Sequence, residues 1–229
     1  MCGRFTQTES VRSYAQAIGV DLDALDDYPS QPIAAYNGAP GARHWIFRLA
    51  DDGDGLSTQE VPWGYLSPWA KKKGLQPAIN AQREKLLTPY YRPLMKSGRV
   101  VVPADGWYEW TGPKGQRQPW YIRRRDGRPL FMAALTSTSE REPAAEGAGF
   151  VIVTSAAEGG MVDVHDRRPV VLAADDARIW MSLDTPLEQA EQMARIGSLP
   201  ATDFEWHQVS PAVNNARHNA PELIEPLPQ

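Results

Sequence analysis

The chain has 229 residues, 42% of them hydrophobic, and a formal net charge of −4. That length is enough to bury a sizeable core in one domain, and the acidic balance excludes a broad, non-specific polyanion binder, so any nucleic-acid contact has to be local. A single cysteine excludes an internal disulfide framework and a thiolate zinc cluster.

The four histidines, His44, His165, His207 and His218, lack metal-ligand spacing, so neither a metal nor a cofactor is expected. The sequence holds no apolar run of about 18 residues and no basic-then-apolar leader, which points to a soluble, cytoplasmic protein without a membrane partner. Eight Trp, eight Tyr and five Phe with twenty Pro and eighteen Gly favour short strands joined by many turns.

The chain opens Met1-Cys2-Gly3-Arg4-Phe5. Thr6-Gln7-Thr8-Glu9 has capping-box spacing, and Val11, Tyr14, Ala15 and Ile18 follow at helical period with Gly19 as a stop, which predicts a short helix close to the N-terminus. Residues 21–40 are polar and turn-rich and read as a loop. Residues 44–49 and 61–65 read as a hairpin around the acidic turn Asp51-Asp52-Gly53-Asp54-Gly55. Next comes Ser67-Pro68-Trp69-Ala70-Lys71-Lys72-Lys73-Gly74, an exposed loop that is either a solvated charge run or a phosphate-facing patch.

Residues 80–87 and 90–96 read as helical turns. Residues 100–103, 107–110, 120–124, 130–135 and 150–154 read as strands, with turns at Lys114-Gly115 and Asp126-Gly127. So many strands in about fifty residues imply an antiparallel sheet or barrel. Residues 139–149 read as a surface loop, 175–181 and 185–196 as helices, the second capped by Thr185, and 206–210 as a last strand. The predicted fold is α+β: one domain over residues 1–229, a mainly antiparallel, barrel-like core and short flanking helices.

Four residues carry candidate chemistry. Small residues after Met1 permit its removal, which would give Cys2 a free α-amine with a pKa of about 7.7 to 8.0 beside a thiol near about 8.5. A lone cysteine is ordinarily a small buried hydrophobe, but termini are ordinarily exposed, so Cys2 is expected to be accessible. Glu109, in Ala104-Asp105-Gly106-Trp107-Tyr108-Glu109-Trp110, is either a carboxylate desolvated among aromatics and raised in pKa, or a solvent-facing residue of an alternating strand. His165 lies among Asp166, Arg167 and Arg168, which an ion-paired surface loop explains equally well. Asn80, in Ile79-Asn80-Ala81, reads as a helix cap.

Taken together, Met1-Cys2-Gly3-Arg4-Phe5, Tyr36-Asn37-Gly38-Ala39-Pro40, Val61-Pro62-Trp63-Gly64-Tyr65, Ile79-Asn80-Ala81, Ala104 to Trp110, Phe131-Met132-Ala133-Ala134-Leu135 and Val164-His165-Asp166-Arg167-Arg168-Pro169 resemble, in order, the SRAP family of SOS-response-associated peptidase proteins. The resemblance runs from residue 2 to about residue 224. It implies a monomer that senses abasic sites in single-stranded DNA and cross-links to them. Cys2, freed of Met1, is implied to form a Schiff base with the ring-opened sugar and then a thiazolidine. Ring closure is intramolecular, with effective molarities reaching about 10⁵ M, so the thiol traps the imine before strand cleavage.

The resemblance further implies that Asn80 orients the sugar and amine, that Glu109 is the general acid/base, and that His165 transfers protons near the sugar or phosphate. By the same resemblance Arg4 and Arg167 meet phosphates, Trp69 and Pro40 stack against or wedge bases, and Asn37 and Thr154 lie in matching DNA-binding loops. One departure stands out: the family's usual Asn-Ala-Arg is Asn80-Ala81-Gln82-Arg83 here, which leaves a phosphate contact open to Arg83 or Lys85. Two other classes compete. One is an N-terminal nucleophile hydrolase or glutamine amidotransferase, which also begins Cys-Gly; the other is a non-catalytic single-strand binding module.

Overall fold

The structure is a computed structural model that describes residues 2–50, 55–113, 115–139 and 145–228. In chain order its strands are β1 (Phe5–Gln7), β2 (Ala35–Gly38), β3 (Arg43–Leu49), β4 (Leu56–Pro62), β5 (Asn80–Gln82), β6 (Arg99–Ala104), β7 (Gly106–Thr111), β8 (Gln118–Arg124), β9 (Leu130–Thr136), β10 (Phe150–Ala156), β11 (Arg167–Pro169), β12 (Val171–Leu172) and β13 (Phe204–Gln208). The α-helices are α1 (Val11–Ala17), α2 (Pro68–Lys72), α3 (Arg92–Ser97), α4 (Ala174–Met181) and α5 (Leu187–Ile196).

The fold is α+β, with two mainly antiparallel sheets. The smaller has the order β13-β8-β7-β1-β2; the larger runs β11-β10-β9-β6-β3-β4, with β12 beside β9 and β5 beside β10. Side chains alternate across a strand, and β6 shows the result. Val100 and Val102 point into a core shared by the two sheets, while Val101 points outward beneath α1, α4 and α5. The outer face of the smaller sheet is covered in turn, because Tyr108 and Tyr121 pack against Val209, Val213 and Leu223 of the C-terminal segment. β7 is therefore buried on both faces.

Two polar ties fix β1 in this sandwich. The side chain of Gln7, fully buried, donates from Nε2 to the carbonyls of Trp45 (2.9 Å) and Pro103 (2.7 Å) and accepts from the Trp45 amide, joining β1 to the larger sheet. Asp105 accepts from the Thr8 amide (2.6 Å), the Thr8 hydroxyl (2.8 Å) and the Tyr14 hydroxyl. Such satisfied buried groups specify a geometry because each is costly to leave unpaired.

Several expectations need correction. The sheets pack face to face and do not close into a barrel, since their orders end on different strands. The capping box at Thr6 does not form: residues 5–7 are claimed by pairing with β2 and β7, and Ser10 caps α1 by accepting from the Ser13 amide at 3.0 Å. Residues 80–82 are a strand, paired in parallel with β10, followed by a single 3-10 turn over Arg83–Lys85. The loop expected over 21–40 contains a 3-10 turn (Leu22–Asp27) and β2, and the loop at Ser67 contains α2, capped by the Ser67 hydroxyl. Thr185 does not cap α5; its hydroxyl donates to the Ile179 carbonyl. Residues 51–54, 114 and 140–144, where turns and loop were expected, lie outside the described residues.

Candidate active site

β1 is the second strand from one edge of the smaller sheet and packs directly on β7, so the chain just before it enters the core between the sheets. Cys2 is completely buried there, against the expectation of an exposed terminus. Its Sγ lies 3.9 Å from the Arg4 carbonyl. Burial pushes the thiol pKa up, and the nearby Glu109 carboxylate adds to the rise.

Asn80 reaches Cys2 from the other sheet. The Trp63 indole donates to the Ile79 carbonyl at 2.9 Å, stacks on Phe150 and packs against Phe5, so one aromatic group sets β5 relative to β1. Asn80 Nδ2 then donates to the Cys2 carbonyl at 2.8 Å, and its Oδ1 is buried with no partner among the described residues. That is not the hydrogen-bonding pattern of a helix cap.

Glu109 shares a face of β7 with Trp107, and that face is the one toward the core between the sheets. The carboxylate is only 2% exposed, which decides the sequence-level ambiguity in favour of burial. Desolvation pushes its pKa up to about 8, with the Asp166 charge contributing in the same direction. Gly106 permits this strand to lie close to β8: a Cβ there would fall 2.5 Å from the Tyr121 ring and 2.6 Å from the Ile122 carbonyl.

His165 follows the 3-10 turn Gly159–Asp163, and its Nε2 lies 3.8 Å from Glu109 Oε2. Its Nδ1 is close both to the Arg167 amide (3.0 Å) and to Asp166 Oδ1 (2.8 Å), and it cannot accept from one while donating to the other. The backbone amide is fixed, whereas the Asp166 side chain is 84% exposed and free to turn. The neutral ring is therefore assigned Nδ1 as acceptor and the proton on Nε2, facing Glu109. Burial pulls the His165 pKa down, which favours that neutral ring.

The phosphate-type residues fall into two groups. Arg4 Nη1 donates to Asn37 Oδ1 (2.8 Å) and to the Val213 carbonyl (2.9 Å). Asn37, on β2 and only 5% exposed, spends its amide on the carbonyls of Val213, Asn215 and His218. Arg167 donates to the Thr154 carbonyl (2.7 Å) and, in a bidentate pair, to Glu84 (3.2 and 3.0 Å). Asn37 and Thr154 thus stand on strands, not in loops. Arg83 donates to the Arg195 carbonyl (2.6 Å) and, at 3.4 Å, to Glu84 Oε1, the oxygen that also accepts from Arg167 Nη1.

Pro40 lies exposed at the turn between β2 and β3, and Trp69 is exposed on α2 beside a groove of about 510 Å³ lined by Tyr65, Pro68, Tyr90 and Pro93. Among the described residues, neither joins the hydrogen-bonded cluster around Cys2. Sequence reasoning missed two features. An open cleft of about 830 Å³ runs past Gly3 and Arg4 to Trp110 and Arg117, and in the sequence only Trp110, at the end of the aromatic run, hinted at it. A cavity of about 10 Å³ is lined by Glu109, Trp107 and Arg168, and the Trp107 indole Nε1 and the Arg168 Nε and Nη1 find no partner among the described residues. Among the described residues no group of three or more His, Cys, Asp or Glu is placed to hold a metal, and no helix is long and apolar enough to cross a membrane.

The family model described as SOS response associated peptidase (SRAP) matches residues 1–216. The chain belongs to the SRAP family. It is 42% identical to the abasic site processing protein YedK of Escherichia coli, over 99% of this chain and 100% of that one. It is 31% identical to the abasic site processing protein YoqW of Bacillus subtilis, over 98% and 99%. Among solved SRAP-like structures, a phage-related protein of Bordetella bronchiseptica has the same fold, with a TM-score of 0.76, 34% identity and full coverage of both chains.

Proposed function

We propose that this SRAP chain processes abasic sites in single-stranded DNA by forming a covalent thiazolidine through Cys2 once Met1 is removed. The observation that carries the reading is the convergence, from both sheets, of Cys2, Asn80, Glu109 and His165 on one buried position. Sequence relatives named for abasic site processing support the substrate class. All four groups belong to one chain, so a monomer suffices.

With Met1 attached, the Cys2 nitrogen is an amide and not a nucleophile. Freed, the α-amine adds to the sugar aldehyde to give a carbinolamine. Glu109, still protonated at neutral pH because burial raises its pKa to about 8, gives its proton to the departing hydroxyl; water leaves and an iminium forms. The resulting carboxylate takes the thiol proton, and sulfur adds to the iminium carbon to close the ring with a neutral ring nitrogen. Asn80 holds the Cys2 carbonyl and has its Oδ1 left to accept from the amine, and His165 Nε2–H, beside Glu109, donates on the sugar side. Arg4 and Arg167 meet flanking phosphates, while Trp69 and Pro40 engage bases.

The test is incubation of Met1-processed protein with an abasic single-stranded oligonucleotide. Wild type is expected to give an adduct stable to heat and SDS, and Cys2→Ala none. Intact mass reports whether Met1 has been removed. No adduct from processed, folded wild type would overturn the proposal, and glutamine hydrolysis by the same sample would favour amidotransferase chemistry.

A further inference from the structure

Arg167 presents the planar fork that suits a phosphate, yet that fork is already filled. Nη1 and Nη2 donate to the two carboxylate oxygens of Glu84 at 3.2 and 3.0 Å, in the two-point geometry that phosphate oxygens would adopt. The guanidinium is held from behind by the Thr154 carbonyl at 2.7 Å, so it cannot swing away from the site. The Arg167 side chain is 16% exposed and that of Glu84 46%, so the carboxylate forms the solvent-facing half of the pair.

The local charges give this pair its weight. Gln82 stands on β5 directly opposite Thr154, and it is neutral where the family pattern leads one to expect an arginine. Arg83, next along, is committed to the Arg195 carbonyl and also leans on Glu84. At this sheet edge, then, Arg167 is the guanidinium best placed for a strand passing over β5 and β10, and Glu84 neutralises it.

We propose that Glu84 is a built-in phosphate mimic that competes with the DNA backbone for Arg167 and keeps affinity for intact single strands low. The proposal rests on the reading that Arg167 meets phosphate. When a strand binds, a phosphate takes the fork and Glu84 turns out into solvent, which its exposure permits. Residence on DNA is then decided by covalent capture at Cys2 more than by backbone contact.

The experiment measures equilibrium binding of an undamaged, fluorescein-labelled single-stranded oligonucleotide by anisotropy at fixed low salt, for wild type, Glu84→Gln, Arg167→Gln and the double variant. Glu84→Gln is expected to bind about fivefold tighter than wild type, the upper range for release of a partly exposed ion pair. In the Arg167→Gln background the same change is expected to do nothing. Equal gains in both backgrounds would mean that Glu84 acts only as a distant negative charge, and no gain, or no binding by any variant, would equally overturn the proposal. Thermal melting of each variant confirms folding. Adduct formation with an abasic oligonucleotide, run in parallel, judges the Cys2 chemistry separately: an adduct without the anisotropy gain rejects the Glu84 role alone.

Discussion

Glu109 should cost the protein stability at neutral pH, where the proposed chemistry would use it, and Glu109→Gln measures that cost. The carboxyl is 2% exposed, and burial raises its pKa from 4.5 to about 8. In the unfolded chain it ionises near the ordinary carboxylate value, so above that pH the unfolded state binds fewer protons than the native state. Stability contributed by this group is therefore full below about pH 4.5, falls as pH rises, and levels off once the native carboxyl also ionises near about pH 8. At about 1.4 kcal/mol per unit, the penalty is about 3 kcal/mol at neutral pH and about 5 kcal/mol above pH 8. Gln mimics the protonated acid and carries no such penalty. Urea unfolding of wild type and Glu109→Gln at pH 5, 7 and 9 is expected to show near-equal stability at pH 5 and a growing advantage for the variant above it, with adduct formation lost throughout. A stability difference that stays constant with pH would refute the argument, because it would mean that Glu109 does not carry a raised pKa.

Two further predictions concern the scaffold. Gly106→Ala places a Cβ 2.5 Å from the Tyr121 ring and 2.6 Å from the Ile122 carbonyl, so β7 must shift away from β8; a loss of about 1 to 3 kcal/mol in denaturant unfolding is expected, together with slower adduct formation through a displaced Glu109. Asn37→Ala strips the carbonyls of Val213, Asn215 and His218 of their shared donor and leaves Arg4 without its 2.8 Å acceptor; about 1 to 3 kcal/mol of destabilisation and earlier proteolysis of the C-terminal segment are expected, and unchanged protease sensitivity would count against the tie.

What the sequence made legible was whatever local pattern decides. The β-branched run Val100-Val101-Val102 and the turn at Asp126-Gly127 produced strand and turn close to where they were expected, because both signals act locally, even though β6 pairs with the distant β9 and the strands on either side of the turn enter different sheets. What it concealed depends on distant partners. Asn80 to Gln82 looks helical locally, and only pairing with Ile152 to Thr154 makes it a strand. Thr6 and Glu9 have capping-box spacing, but β1 takes Thr6 for pairing with Gly106 and leaves Ser10 to start the helix. Alternation placed Trp107 and Glu109 on one face without saying which. The answer comes from the C-terminal segment, which covers the opposite face through Val209, Val213 and Leu223. Glu84 escaped notice for the same reason, since its partner Arg167 is 83 residues away.

The burial of Cys2 bears on the order of events under the proposed chemistry. Both the thiol and Glu109 are held protonated by burial, and the Glu109 carboxylate further opposes ionisation of the thiol. A thiolate attacking the aldehyde first would need a charged sulfur beside a carboxyl with no cation yet formed, which is the costliest arrangement for this site. If the amine reacts first, the iminium places a positive charge on the same residue as the thiol at the moment Glu109 has given up its proton. That charge lowers the thiol pKa and so favours transfer of its proton to the Glu109 carboxylate. Sulfur thus becomes nucleophilic only when the imine it must trap already exists, and a site that looks inert by the pKa of its thiol is one in which reactivity is switched on by the substrate.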